Sequence, residues 1–213
     1  MSALFVRRAS LWLLGAALAT ASACASANQG TVPPGTLQPD QFLFERGTEA
    51  LEDERWLVAR EYFRELTETY TQSPYRPDAK LGLGDTYLGE DSAASLVLAQ
   101  NEYQEFLTFF PTHPRADYAQ YKLGLVHFGQ MRAPGRDQTE TKNAIAEFER
   151  FLERYPNSTF TEDARMRLRE ARDRLSEDEF IVGRFYYRIR WYPGAIDRLT
   201  SILKRDPGFT EHS

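Results

Sequence analysis

The 213-residue chain contains one cysteine, three histidines and three methionines. A single thiol excludes an internal disulfide, a thiolate zinc cage and an iron–sulfur cluster. His113, His127 and His212 lack metal-ligand spacing, and no H-E-x-x-H, G-x-S-x-G, P-loop or EF-hand pattern occurs. Positive charge is also scarce. The 26 Lys+Arg against 31 Asp+Glu leave a net charge of -5, which argues against a nucleic-acid binder held by phosphate contacts. No apolar run reaches the roughly 20 residues a membrane-spanning helix needs. Gly82-Leu83-Gly84 lacks the third glycine of a dinucleotide loop and reads as close helix packing. With no catalytic constellation, metal set or cofactor motif, the chain reads as a non-enzyme. What is plentiful is core material. Hydrophobic residues make up 42% and aromatics 13%, which argues against disorder.

The lone cysteine, Cys24, ends a three-part leader. Arg7 and Arg8 are followed by Leu11, Trp12, Leu13, Leu14, Ala16, Ala17, Leu18 and Ala19, then by Ala21-Ser22-Ala23. A basic start, a short apolar stretch and small residues form an export signal, expected over residues 1–23. Small residues followed directly by cysteine resemble the bacterial lipobox, with Ala21 where leucine is usual. That resemblance implies a lipidated Cys24. Ala25, in place of Asp, implies sorting to the outer membrane, with the chain held on its periplasmic face. Several acyl chains anchor stably where one is marginal. Residues 24–38, with Pro33-Pro34-Gly35, read as a flexible tether.

From residue 39 to 208 the apolar spacing is helical. Trp56, Ala59, Phe63, Leu66 and Tyr70 fall at intervals of three and four, one face of a helix. Prolines 74, 77, 111, 114, 134, 156 and 207 punctuate the pattern. The segments between them are alike, with a small residue on a first helix and Ala, a bulky residue and an apolar one on a second. Gly47, Ala59, Phe63 and Leu66 fit this tetratricopeptide spacing, as do Gly183, Tyr186, Ala195, Leu199, Ile202 and Pro207. Gly84, Tyr87, Ala99, Tyr103, Phe106 and Pro111 fit after an insertion near residues 90–94. Gly124, Ala144, Phe148, Phe151 and Pro156 fit after one around residues 131–136. The expected fold is an all-α, tetratricopeptide-like solenoid of about four helix hairpins, with a tail at 209–213. Residues 159–192 read as one long helix or as two broken near Ser176. Thr159–Glu162 and Ser176–Glu179 both fit a capping box; the first reads as a helix start, while around the second Arg174 and Asp178 equally suit a continuing solvated face.

The run His113-Pro114-x-x-Asp117-Tyr118-x-x-Tyr121-x-x-Gly124-Leu125 is followed by Arg136-Asp137-Gln138-Thr139 and Arg154-Tyr155-Pro156-Asn157-Ser158. Asp163-Ala164-Arg165-x-Arg167-Leu168 and Phe185-Tyr186-Tyr187 complete the order. This ordered set, over roughly residues 40–208, resembles the BamD/YfiO family of outer-membrane β-barrel assembly lipoproteins. Members of that family usually carry a fifth repeat; the pattern here accounts for four. The resemblance implies an adaptor that binds BamA and other assembly-machine lipoproteins, together with the C-terminal segments of unfolded outer-membrane proteins. A different periplasmic tetratricopeptide scaffold, coordinating cell-wall synthesis or division, is the alternative.

In stacked repeats one face of each first helix lines a groove. Spacing places Phe44, Leu81, Asp85, Tyr118, Tyr121, Leu125 and Phe128 there, with Tyr75 beside them at an inter-repeat turn. Aromatic-ended strands suit the tyrosines as stacking partners. Partner contacts are expected at Arg165, Arg167 and Arg169 on the long helix, and at Tyr187 and Arg190. His113 is expected to pack in a turn and His127 inside a helix pair.

Overall fold

The computed structural model describes residues 32–209. Cys24, the segment 1–23, most of the expected tether and residues 210–213 lie outside them. Eight helices follow one another: α1 (Pro39–Glu52), α2 (Trp56–Thr69), α3 (Arg76–Glu90), α4 (Ala93–Phe109), α5 (Ala116–Gly129), α6 (Thr139–Arg154), α7 (Thr161–Arg188) and α8 (Tyr192–Arg205). They form the hairpins α1/α2, α3/α4, α5/α6 and α7/α8, and each hairpin packs on the next. No strand occurs among the described residues. The first helices of neighbouring hairpins also touch, α1 with α3 and α5 with α7, which places them on the inside of the curve.

The repeat residues explain the hairpins. A Cβ added at Gly84 would stand 2.6 Å from the Tyr103 ring, and one at Gly124 2.6 Å from the Phe148 ring. Only glycine lets the bulky residue of the second helix press against the backbone of the first. Gly47 meets Phe63 and Gly183 meets Leu199 in the same way. Gly82 faces Phe63 while Gly84 faces Tyr103, so the Gly82-Leu83-Gly84 run serves packing on both sides of α3.

The core is segmented. One cluster joins Leu43, Ala59, Phe63 and Leu66 of the first hairpin to Ala79 and Leu83 of α3. A second joins Tyr103 and Phe106 to Leu123 and Val126 of α5, and a third joins Phe148 and Phe151 to Ala164 and Leu168 of α7. Each of the first three hairpins thus completes its core with the first helix of its successor, as a solenoid requires.

The inserted residues are absorbed differently in the two hairpins. In the second hairpin they lengthen the helices, leaving only Asp91, in a left-handed turn at φ 50°, and Ser92 between α3 and α4. Ser92 and Ser95 cap α4 reciprocally. In the third hairpin the insertion forms the loop 130–138, gathered by Gln138. Its side-chain amide donates to the carbonyls of Ala133 at 3.0 Å and Arg136 at 3.3 Å, and its Oε1 accepts from the Thr141 hydroxyl at 2.7 Å. The backbone N–H of Gly135 donates to Asp178 at 2.8 Å, pinning the loop to α7.

α7 is one continuous helix of 28 residues. Of the two readings the single long helix holds, with no break near Ser176, and neither Thr159–Glu162 nor Ser176–Glu179 forms a capping box. The N-cap of α7 is Phe160, which makes no side-chain cap bond. Ser176 is buried in mid-helix and its hydroxyl donates to Asp206 at 2.8 Å. No described helix is long and apolar enough to cross a membrane.

Candidate functional site

The inner face is built from the turns between hairpins, which repeat the same bonds. Ser73, His113 and Ser158 each accept a hydrogen bond from the backbone N–H two residues on, at 3.1, 3.2 and 3.2 Å. This turn delivers Tyr75, Arg115 and Phe160 to the N-caps of α3, α5 and α7. Their side chains lean onto first-helix aromatics. Tyr75 stacks on Phe44 at 5.3 Å, and Phe160 stacks on Tyr121 at 4.7 Å. The Arg115 guanidinium lies 4.5 Å over the Tyr118 ring. His113 packs edge-on to Phe106 at 5.5 Å, a turn residue as expected. His127 is buried, with Nδ1 2.7 Å from Glu140.

Two carboxylates knit the first helices together. Asp85 of α3 accepts from the Tyr103 hydroxyl at 2.7 Å and from the Tyr118 hydroxyl at 2.9 Å, and lies 3.3 Å from Lys122 Nζ. Burial first, and then the adjacent Asp85 charge, push the Tyr103 and Tyr118 phenols upward, so both remain protonated donors. Asp163 of α7 accepts from the Tyr121 hydroxyl and from Arg167 Nε. Partial burial opposes the charge on Asp163, but hydrogen bonds from Arg167 and Tyr121 hold its carboxyl below the usual range. Arg167 also lies 5.2 Å over the Phe128 ring.

The expected groove residues therefore separate into classes. Phe44, Tyr75, Asp85, Tyr118, Leu125 and Phe128 are partly exposed on the first helices and turns. Leu81 is a correction: it is 0% exposed, a core residue of the second cluster, and cannot line a groove. Tyr121 is 8% exposed, with its ring under Phe160. Phe160 and Arg115 were not singled out from the sequence. The signal was available: each stands four residues before an alanine, as Tyr75 does before Ala79.

The partner candidates do not form one patch. Arg165 and Tyr187 stand at opposite ends of α7, about 33 Å apart at 1.5 Å per residue. Arg165 is exposed and pairs with Glu162. Arg167 is turned inward to Asp163, and Arg169 is tied to Asp173 and Asp206, so neither offers a free charge to a partner. Tyr187 is 63% exposed and meets Tyr192 at 5.9 Å. Arg190 forms the α7–α8 turn at φ 63° and is exposed. Around these two the tip is apolar, with Phe185, Ile189, Trp191 and Ile196 all about half exposed or more.

Known proteins share this arrangement in sequence. A family model described as YfiO, outer membrane lipoprotein, matches residues 37–211. The chain is similar to the outer membrane protein assembly factor BamD of Caulobacter vibrioides, 28% identical over 90% of this chain and 63% of that protein. It is 31% identical to the BamD of Vibrio cholerae over 79% of this chain and 73% of that one. With the BamD of Neisseria meningitidis serogroup A it shares 26% identity over 89% and 73%. The chain thus spans less than two thirds of the Caulobacter protein and about three quarters of the other two. A hairpin solenoid with this residue order, matched from the first helix to beyond the eighth, belongs to the YfiO family of outer membrane lipoproteins.

Proposed function

We propose that this chain is an outer membrane protein assembly factor, a lipid-anchored adaptor on the periplasmic face of the outer membrane. It performs no bond chemistry; it holds and positions unfolded barrel proteins for a BamA-type partner. The relatives' name, outer membrane protein assembly factor, supports the class. Cys24 supplies the anchor.

One observation carries the substrate reading. The repeated turns place Tyr75 and Phe160 beside Phe44 and Tyr118 on the inner face, where half-buried rings remain available. A strand ending in an aromatic lays its side chain against such rings, in offset or edge-on contact. Arg115, which pairs with Asp78 at 3.0 Å, and Lys122, 3.3 Å from Asp85, flank the Tyr118 ring, so the aromatic rings and not a free charge carry the contact. The apolar tip around Tyr187, Arg190 and Trp191 is the surface for BamA or an accessory lipoprotein, separate from the groove.

The test is binding of a barrel-derived peptide with a C-terminal aromatic residue. Phe44→Ala together with Tyr75→Ala weakens binding about tenfold, the loss of roughly one aromatic contact pair, with the circular dichroism unchanged. Equal affinity would show that these rings only pack.

A further inference from the structure

The face of α3 turned away from Asp78 and Asp85 carries a second feature. Lys80, Leu83 and Tyr87 follow at intervals of three and four on that side. With Arg64, Thr67 and Glu68 of α2, Arg76 of α3 and Glu102 of α4 they line a recess of about 230 Å³. That is below the range of about 300–1,000 Å³ typical of sites for drug-sized ligands. It suits a single charged group.

The three cations in the recess are not equally occupied. Lys80 Nζ is committed to Glu102 at 2.8 Å and Glu105 at 2.5 Å. Arg64 spends one nitrogen on the Tyr87 hydroxyl at 3.3 Å, and Arg76 spends Nε on the Thr67 carbonyl at 3.3 Å. Both bonds lie beyond the normal range for N–H···O, and neither guanidinium is paired with a carboxylate. Nearby arginines are: Arg60 with Glu90, Arg55 with Asp53 and Arg46 with Glu49. The buried Tyr87 hydroxyl accepts from Arg64 and keeps its own hydrogen to donate. Of the two acids in the recess, Glu102 is held by Lys80, and Glu68 stands exposed at the rim.

We propose that this recess binds a phosphate monoester group. The Arg64 and Arg76 forks grip its oxygens, and Tyr87 adds a third donor. Planar forks with free N–H groups recognise phosphate bidentately, which a lysine ammonium does not. The site lies on the opposite side of α3 from the inner-face carboxylates, so an occupant leaves the peptide face free. The proposal does not rest on the peptide reading. The phosphate is supplied either by a lipid headgroup at the membrane surface or by a soluble phosphate.

The test uses the full chain carrying Cys24→Ser, so that no acyl anchor holds it to vesicles. Calorimetric titration with inorganic phosphate and flotation with phosphatidate vesicles, against phosphatidylcholine, are run in parallel. Saturable binding in either arm is expected, and the arm that responds identifies the source. Arg64→Ala with Arg76→Ala weakens it about tenfold or more, and Glu68→Gln tightens it about threefold by removing the opposing rim charge. Unchanged circular dichroism shows that the double variant is folded. Binding in neither arm, or equal binding by the double variant, overturns the proposal.

Discussion

Asp206 shows how a single side chain fixes the fourth hairpin. It is 5% exposed at the C-cap of α8, yet it accepts from Arg169 at 2.5 and 2.7 Å and from Ser176 at 2.8 Å, both on α7. The Arg169 hydrogen bonds hold its carboxyl below the usual carboxylate value, against the opposing effect of burial. A carboxyl depressed in the folded state stabilises fully above its unfolded pKa, about 3.9. That contribution is lost as pH falls through the lower folded value. Asp206→Asn is therefore predicted to cost about 1–3 kcal/mol at pH 7 and to flatten the loss of stability below about pH 4. Denaturant melts at pH 7 and pH 3 check both. An unchanged midpoint at pH 7 would mean the contact is only decorative. At this scale the sequence was legible where partners repeat at fixed spacing, as with Gly84 and Tyr103 or Gly124 and Phe148. It misled on Leu81, whose groove spacing coincides with a core position, and it did not show that Phe160 and Asp163, from the start of α7, would cover Tyr121.

The elements show where local patterns give way to tertiary context. Thr159–Glu162 and Ser176–Glu179 both satisfy a capping-box pattern, but a box needs a free helix start. Ser176 has none, because its hydroxyl is taken by Asp206 and its turn is packed within α7. The box that does form uses a serine at N3, Ser95, which the usual Glu/Gln pattern misses. The Arg136-Asp137-Gln138-Thr139 run, which carried the family resemblance, has a structural role. Asp137 accepts from the Thr139 N–H at 3.1 Å at the start of α6, and Gln138 gathers the loop. Gln138→Ala removes a buried donor from at least two carbonyls. It is predicted to speed proteolysis within 130–138 and to lower the Tm by about 2–4 °C per kcal/mol lost. A wild-type cleavage pattern would show that the loop is held by Asp178 alone.

At the scale of the molecule, the hairpins share their cores with their successors, and the inner face is tied across α3, α5 and α7 by Asp85 and Asp163. Such cross-ties make the inner face rigid, and for the proposed peptide role a rigid face limits the ordering cost to the peptide itself. Hairpin number and boundaries were readable from the sequence because each repeat restates its own packing residues. The direction each surface arginine takes was not, since it depends on carboxylates from other turns and helices. The anchor claim has its own outcome. Cys24→Ala is predicted to move the chain from the membrane to the soluble periplasmic fraction on cell fractionation, and unchanged membrane association would contradict it.

The central claim is that this solenoid works within a barrel-assembly complex. Affinity capture of the tagged chain from detergent-solubilised outer membranes tests it most directly, with the co-purifying proteins quantified. Co-purification of a BamA-type barrel protein in stoichiometric amounts is predicted. Recovery of cell-wall synthases without any such barrel protein would contradict it.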